Sequence, residues 1–377
     1  MADQPAIVID NGSFSCKAGF AGETAPRSIY RSIVGFPRPK TSHLLRDKGK
    51  KEIYLGDEVL AELQFLIEYG VSRELKYRQI EKIWDEVITN QLHIRPDSPR
   101  PILVTENFKS RRADRRETAE YMFETLNSPA LCLYLSPVLS FHASGRTTGT
   151  VIQTGHNSTD VVPIHDGLPI LNKWRQAYGS GSDLTDYLRR KLRDRGYELY
   201  TGLGFEHARH IKEKHCYVPS DWWSDLGEFH ESPHSYERTY TLPDGQIITI
   251  GRERFDTGKA LFDPFMLDMV IAPLESNVRH AITNDDKDLE NALSRNIVLA
   301  GGSALLPGLA ESLKKEVDES TGNHTGIPVE VFTPPNPHLL TWVGGSMMAE
   351  HSSFKKRWIT KEDYEESGLS IVKQKSL

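Results

Sequence analysis

Three times along this chain a short apolar run breaks into a small, polar turn, and this repeated unit limits the possible folds more tightly than any other feature. Ala6-Ile7-Val8-Ile9 runs into Asp10-Asn11-Gly12-Ser13. Thr150-Val151-Ile152 runs into Gln153-Thr154-Gly155-His156-Asn157-Ser158, with apolar Val161-Val162 beyond. Ile297-Val298-Leu299-Ala300 runs into Gly301-Gly302-Ser303, then Pro307 and an amphipathic stretch to Val317. Short apolar runs bounded by turn residues read as buried strands. Each turn can present backbone N–H groups to a phosphate. Gly301-Gly302 permits close backbone approach, and the helix after it offers a positive N-terminal end. The first two units read as one design used twice, so the chain reads as two related halves.

Around these units the pattern is mixed α/β. Residues 78–92 carry Ile80, Ile83, Trp84, Val87 and Ile88 on one helical stripe, and 114–126 and 183–194 also read as helices. Ile102-Leu103-Val104, after Pro99-Arg100-Pro101, is a short buried strand. Pro243-Asp244-Gly245 between Tyr240-Thr241-Leu242 and Gln246-Ile247-Ile248-Thr249-Ile250 predicts a β-hairpin. The 377 residues hold two or three domains' worth of core. No apolar run approaches the ~18 residues of a membrane span, and Met1-Ala2-Asp3-Gln4 opens no signal peptide. Cys16, Cys132 and Cys216 are odd in number and far apart, which argues against a disulfide framework or structural zinc and for a reducing compartment. With 46 basic and 52 acidic residues, the net charge of −6 supplies no general attraction to nucleic acid. His207, His210 and His215 lack a fourth metal ligand. Lys109, Arg111, Arg112, Arg115 and Arg116, and Arg189, Arg190, Lys191, Arg193 and Arg195, form two basic clusters. These read as solvated faces, with an acidic partner or nucleic acid as the alternatives. Trp222-Trp223 reads equally as local packing or a partner anchor.

Several segments together resemble the actin family. They are Asp10-Asn11-Gly12-Ser13, Cys16-Lys17-Ala18-Gly19-Phe20-Ala21-Gly22, Ala143-Ser144-Gly145-Arg146-Thr147-Thr148-Gly149 and Asp183-Leu184-Thr185-Asp186-Tyr187-Leu188. Ile211-Lys212-Glu213-Lys214, Leu242-Pro243-Asp244-Gly245-Gln246, Gly301-Gly302 with Pro307-Gly308, and Trp342-Val343-Gly344-Gly345-Ser346 extend the match nearly end to end. The resemblance implies the α/β, two-lobed actin-type fold, shared with heat-shock chaperones and sugar kinases, with duplicated mixed five-stranded sheets and a central nucleotide cleft. One lobe would span residues 1–143 and 340–377, with a small outer subdomain at about 32–68; the other would span 144–339, with an outer subdomain at about 180–269. It further implies ATP or ADP with magnesium. Gly12 and Gly155 would sit in the two phosphate loops, Ser13 and Lys17 would touch phosphates, and Asp10 would hold the metal's water shell. Lys212 and Glu213 would line the adenosine side, and Gly301-Gly302 would be the adenosine loop.

The departures from that pattern fall on the chemistry. Phe14 stands where actins have glycine, in a loop where a bulky residue cannot cheaply take a positive φ. The second loop, Asp-Ser-Gly-Asp-Gly-Val-Thr-His in actins, reads Gln153-Thr154-Gly155-His156-Asn157-Ser158-Thr159-Asp160. Both acidic positions are lost, and Asp160 is left as a candidate substitute base. Ser136 replaces the glutamine that orients the attacking water. Phosphoryl transfer to water depends on that positioning and on metal charge, so the ATPase reads as degenerate. Ser182, Leu306 and His338 replace arginine, tyrosine and lysine on the adenosine side. The loop at residues 40–51 is basic through Lys40, Arg46, Lys48, Lys50 and Lys51, and His351 and Arg357 enter a groove that is apolar in actins.

The expected role is a divergent actin-like structural subunit of a cytoskeletal assembly in the cytoplasm, binding nucleotide with little or no hydrolysis. Its partners would be other actin-family or cytoskeletal proteins, with no membrane role and with homopolymers disfavoured. The alternatives are a filament-forming actin-type ATPase and a nuclear subunit of a chromatin-remodelling complex.

Overall fold

The structure, a computed structural model of the full chain, describes residues 4–37, 51, 53–62, 67–71, 77–95, 97–320 and 329–375. Lys40, Arg46, Lys48 and Lys50 of the basic loop lie outside these residues. The chain divides into two compact units, Met1–Gly145 with Leu339–Leu377, and Arg146–His338.

The first unit is built on the hairpin of β1 (Ile7–Asn11) and β2 (Ser15–Phe20). β3 (Ser28–Arg31) pairs antiparallel with β2, while β4 (Ile102–Glu106) runs parallel to β1 and β5 (Ala130–Leu135) parallel to β4. Ile359–Thr360 closes the β5 edge. Val8, Ile9, Leu103 and Leu131 are all fully buried, as expected of central strands covered on both faces. The cover on one face comes from the helices Ser136–Ala143 and Leu340–Glu350, whose approach depends on glycine. A Cβ on Gly344 would lie 1.9 Å from the Leu139 carbonyl oxygen, and one on Gly345 would lie 2.9 Å from Val8 Cγ1. Trp342, fully buried, donates its indole N–H to the Val8 carbonyl at 3.0 Å. Beyond β3, Ile33–Pro37 pairs antiparallel with Tyr54–Leu55 and Ile67–Val71.

The second unit repeats this wiring. β6 (Gly149–Thr154) and β7 (Thr159–His165) form its hairpin, β8 (Ile297–Ala300) runs parallel to β6, and β9 (Val331–Phe332) runs parallel to β8. Among the described residues, each of these two main sheets carries six strands rather than the expected five. In the first the addition is the two-residue edge strand Ile359–Thr360. In the second, the seven-residue β7 is long enough to pair with both Leu168–Pro169 and Arg175–Ala177. Short edge strands of this kind leave little backbone open to further pairing.

The local elements follow their sequence signals, with two differences. The helices read at 78–92 and 114–126 begin as α-helix, Tyr77–Asp85 and Arg112–Glu120, and widen into π-helical turns, Glu86–Gln91 and Tyr121–Thr125. These wider turns seat Val87, Ile88, Met122 and Phe123 in the core. The Pro-Asp-Gly hairpin forms between Arg238–Thr241 and Ile247–Ile250, with Gly245 at φ +88. The Gly245 N–H bonds the Leu242 carbonyl at 2.9 Å and the Leu242 N–H bonds the Gln246 carbonyl at 2.8 Å. No described helix is long and apolar enough to cross a membrane. All three cysteines are free and buried, and burial pushes the thiols of Cys16 and Cys216 up to about 12.

Candidate functional site

In the first unit, β1 and β2 meet in register so that Asp10 faces Lys17. Lys17 Nζ lies 2.9 Å from Asp10 Oδ2, and both side chains are about nine-tenths buried. The other oxygen, Oδ1, accepts a 3.1 Å bond from the Thr105 hydroxyl, whose oxygen accepts from the Asn11 N–H at 3.0 Å. Gly12 is required at the turn, because a Cβ there would lie 2.7 Å from the Ser15 carbonyl oxygen and 3.6 Å from Lys17 Nζ. Ser32 ties the loop down from β3's far end: its hydroxyl donates to the Gly12 carbonyl at 2.8 Å and its N–H to the Phe14 carbonyl at 3.0 Å. Ser13 stands exposed at the tip. Phe14 avoids the positive-φ region, and its ring lies under the Arg31 guanidinium at 4.2 Å. The expected backbone strain is therefore absent, and the register that sets Ser15 opposite Arg31 gives the ring a cationic partner.

Ser136 is buried at the start of its helix, and its hydroxyl donates to the Glu106 carbonyl at 3.0 Å. Arg115 grips the Glu106 carboxylate with two bonds of 2.7 Å. Burial nevertheless holds the Glu106 carboxyl above its usual range, with Arg115 opposing the shift.

In the second unit, the β6–β7 turn is bound to the helix Gly181–Asp194. The Gly181 N–H donates to the Gly155 carbonyl at 2.9 Å and the Ser182 N–H to the His156 carbonyl at 2.7 Å. The helix start is a capping box, with the Ser180 N–H donating to Asp183 Oδ2 at 2.9 Å. Lys212, buried on the helix Gly202–His215, reaches across to donate to the Gly181 carbonyl at 2.6 Å. Desolvation lowers its amine from the usual 10.5 to about 8, against the opposing pull of Glu213. Glu213 is exposed, one position round the helix, and accepts a 2.7 Å bond from Arg209. Gly301 is fixed by packing: φ is +94, and a Cβ would lie 2.2 Å from the Thr154 carbonyl oxygen. Gly302 differs, since a Cβ there would meet nothing within 4 Å.

Asp160 is buried and committed on both oxygens, to the Trp174 indole N–H and the Ser158 hydroxyl, each at 3.1 Å. Both oxygens thus tie β7 to neighbouring side chains. Leu306, at the position of the actin tyrosine, belongs to the hydrophobic core of the second unit. Among the described residues, no group of three or more His, Cys, Asp or Glu side chains is placed to hold a metal ion.

The expected residues therefore fall into two groups. Asp10, Gly12, Ser13 and Lys17 share one hairpin of the first unit, and Gly155, Lys212 and Gly301 gather around Gly181 and Thr154 in the second. Sequence reasoning missed Ser32, Thr105 and Gly181. Only Gly181 had a usable signal, the Ser-x-x-Asp box around it.

The basic clusters are largely paired internally. Arg111 bonds Asp114, Arg115 bonds Glu106 and Arg116 bonds Glu120. Arg189 and Arg190 share Asp186, and Arg195 bonds Glu253. The two tryptophans divide the earlier alternatives. Trp222 donates to Asp256 at 2.8 Å, while Trp223 is 76% exposed.

Two hairpin-plus-parallel-strand sheets, each with a glycine-bearing turn at the end of its first strand, place the chain in the actin-type class of α/β folds. The chain belongs to the actin family: the family model described as Actin matches residues 1–377. It is 35% identical over 376 residues to a Dictyostelium discoideum protein named "Putative actin-29", an alignment covering 98% of this chain and 96% of that one.

Proposed function

We propose that this protein is a divergent actin-family subunit that acts through its surface within a larger cytoskeletal assembly and hydrolyses ATP slowly or not at all. The observation that carries the reading is the fate of the catalytic positions. Ser136, where actins orient the attacking water, donates its hydroxyl proton to the Glu106 carbonyl. Asp160, the candidate substitute base, is held on both oxygens by Trp174 and Ser158. Proton transfer and water positioning each contribute orders of magnitude in rate, and here both are missing together. The partners would be other actin-family or cytoskeletal proteins in the cytoplasm.

Nucleotide binding is a separate question from hydrolysis. Members of the actin family bind ATP or ADP with a divalent metal. The phosphate and adenosine side of this chain fits such a ligand: Gly12 and Gly155 shape the two turns, and Gly302 is a glycine that packing does not require. On the metal side the groups are fewer than in actins. Asp10 is partnered on both oxygens, and Gln153 carries no charge.

Phosphate release by the purified chain tests the reading, and turnover at an actin-like rate would overturn it. The second reading, a filament-forming ATPase, is opposed by exposed His351 and half-buried Arg357, where a partner subunit would need apolar surface. Sedimentation under polymerising salt and magnesium checks it; pelleted filaments would favour that alternative.

A further inference from the structure

We infer that the helix Trp222–Glu231 is a docking surface of the second unit, and that it takes a basic, Lys- or Arg-bearing helix of a partner protein. Trp223 would be the anchor and Gly227 the point of close approach. The inference rests on the surface role proposed above and adds where on the chain that role lies and what chemistry meets it.

The inner side of this helix is anchored. The Trp222 indole donates to Asp256 at 2.8 Å, and the Tyr217 hydroxyl donates to Asp225 at 3.0 Å. The Phe229 ring meets Phe255 edge-on, 6.2 Å between centroids, and lies 3.0 Å from where a Cβ on Gly251 would stand. At the helix start the Asp221 carboxylate accepts from the Trp223 and Ser224 N–H groups at 3.0 and 3.2 Å. The element is thus fixed before any partner arrives, which lowers the ordering cost of binding.

The outer side is left open. Trp223, Gly227, His230 and Glu231 follow one another at helical spacing, with Ser224 and Glu228 beside them, and all six are exposed. Trp223 meets Trp222 edge-on at 4.8 Å yet keeps 76% of its surface in solvent. A glycine inside a helix costs stability relative to alanine, and here the fold gives no reason for one. A Cβ on Gly227 would meet nothing within 4 Å, and its φ is not positive. Bare backbone one turn from an exposed indole lets a second helix approach closely and pack against the ring.

Charge selects the partner. Residues 221–231 hold Asp221, Asp225, Glu228 and Glu231 and no lysine or arginine. Among the described residues, the exposed three, Asp221, Glu228 and Glu231, form no ion pair. The cations packed around the helix bond other groups: Arg252 bonds Asp256 at 2.6 Å, Arg254 the His215 and Tyr236 carbonyls at 3.0 and 2.7 Å, and Lys315 the Ser220 carbonyl at 3.0 Å. A partner's lysine or arginine would meet carboxylates without a counter-charge, and an arginine over Trp223 would gain a cation–π contact. A second copy of this chain is the poorer occupant, because its basic helices already pair Arg111 with Asp114, Arg116 with Glu120 and Arg189 with Asp186.

The test places a photo-crosslinking amino acid at Ser224 of the full chain in the cells that make it, with Asp244 on the exposed Pro-Asp-Gly turn as the control position. The expected result is a crosslink from residue 224 to a Lys- or Arg-rich helical segment of another protein, and none to that segment from residue 244. A crosslink to an acidic or uncharged segment, to a second copy of this chain, or to nothing overturns the inference. Gly227→Gln and Glu231→Lys supply an independent readout, since neither residue takes part in the inner contacts. Gly227→Gln should raise the urea midpoint of the isolated chain, because glutamine is the better helix former. Each variant should lower the fraction of the chain found in the high-mass peak on gel filtration by about tenfold or more. Parent-like incorporation of either variant overturns the inference and leaves the surface role intact. A parent chain found only as monomer overturns the two together.

Discussion

Asp10 and Lys17 face each other across the β1–β2 hairpin and close a buried ion pair at 2.9 Å, so that a single register decides the electrostatics of the first phosphate turn. Removing one partner of such a pair leaves an uncompensated buried charge, which costs about 3–5 kcal/mol. Lys17→Met is expected to destabilise the protein by that amount in urea unfolding. A double-mutant cycle with Asp10→Asn should return a coupling of about 1–3 kcal/mol. A coupling near zero would mean the two side chains act independently.

The two glycines after β8 should behave oppositely. Gly301→Ala sets a Cβ against the Thr154 carbonyl at a φ of +94, and should destabilise the second unit by several kcal/mol, on the order of 2–4. Gly302→Ala meets open space and should leave unfolding within about 0.5 kcal/mol of the parent. Nucleotide affinity of the Gly302 variant, measured by titration, should nevertheless fall. Unchanged affinity would remove Gly302 from the ligand side.

Lys212 should make stability rise on the alkaline side of neutrality. Its folded pKa, about 8, lies below the usual lysine value of 10.5, so between those limits the unfolded chain binds more protons than the folded one. Below about pH 8 both states are charged and the burial penalty is felt in full. As the pH climbs through the window the penalty is relieved, by about 3 kcal/mol in all. The stability gap between wild type and Lys212→Met, followed by denaturation at several pH values, should shift in favour of wild type across this range. A flat difference would contradict the burial argument.

The paired tryptophans should separate packing from recognition. Trp222→Ala loses the bond to Asp256 and the stacking of Arg252 over its ring, and should cost about 2–3 kcal/mol. Trp223→Ala should leave stability within about 0.5 kcal/mol, since the ring is mostly in solvent. If Trp223 is an anchor for an assembly partner, the variant will fail to enter the native complex on gel filtration of cell extract. Normal incorporation would assign the exposed indole no binding role.

Most of the architecture was legible because local patterns carried it. The apolar runs at Ile7, Val151 and Ile297 became β1, β6 and β8, and Pro243-Asp244-Gly245 became its hairpin, because strand burial and turn chemistry are properties of neighbouring residues. The wiring of the two sheets follows from the doubled unit. Less was legible where distant residues meet. Thr105 lies 95 residues from the Asp10 it bonds, and nothing near either marks the other. Phe14 looked like an obstruction until β3 brought Arg31 beside it.

What the sequence determined by itself was the set of groups at each turn: one carboxylate and one lysine in the first, a glutamine in place of an acid in the second, and glycines where backbone must approach. Residue type alone sets charge and steric size, and these do not depend on how the chain folds. Only the tertiary structure decided how those groups are used. Register set Lys17 against Asp10, Trp174 took an oxygen of Asp160, and the helix Gly181–Asp194 drew the second turn's carbonyls onto its N-terminal amides. A buried polar group bonds whatever partner folding brings within about 3 Å, and that distance is fixed by contacts between residues far apart in the chain.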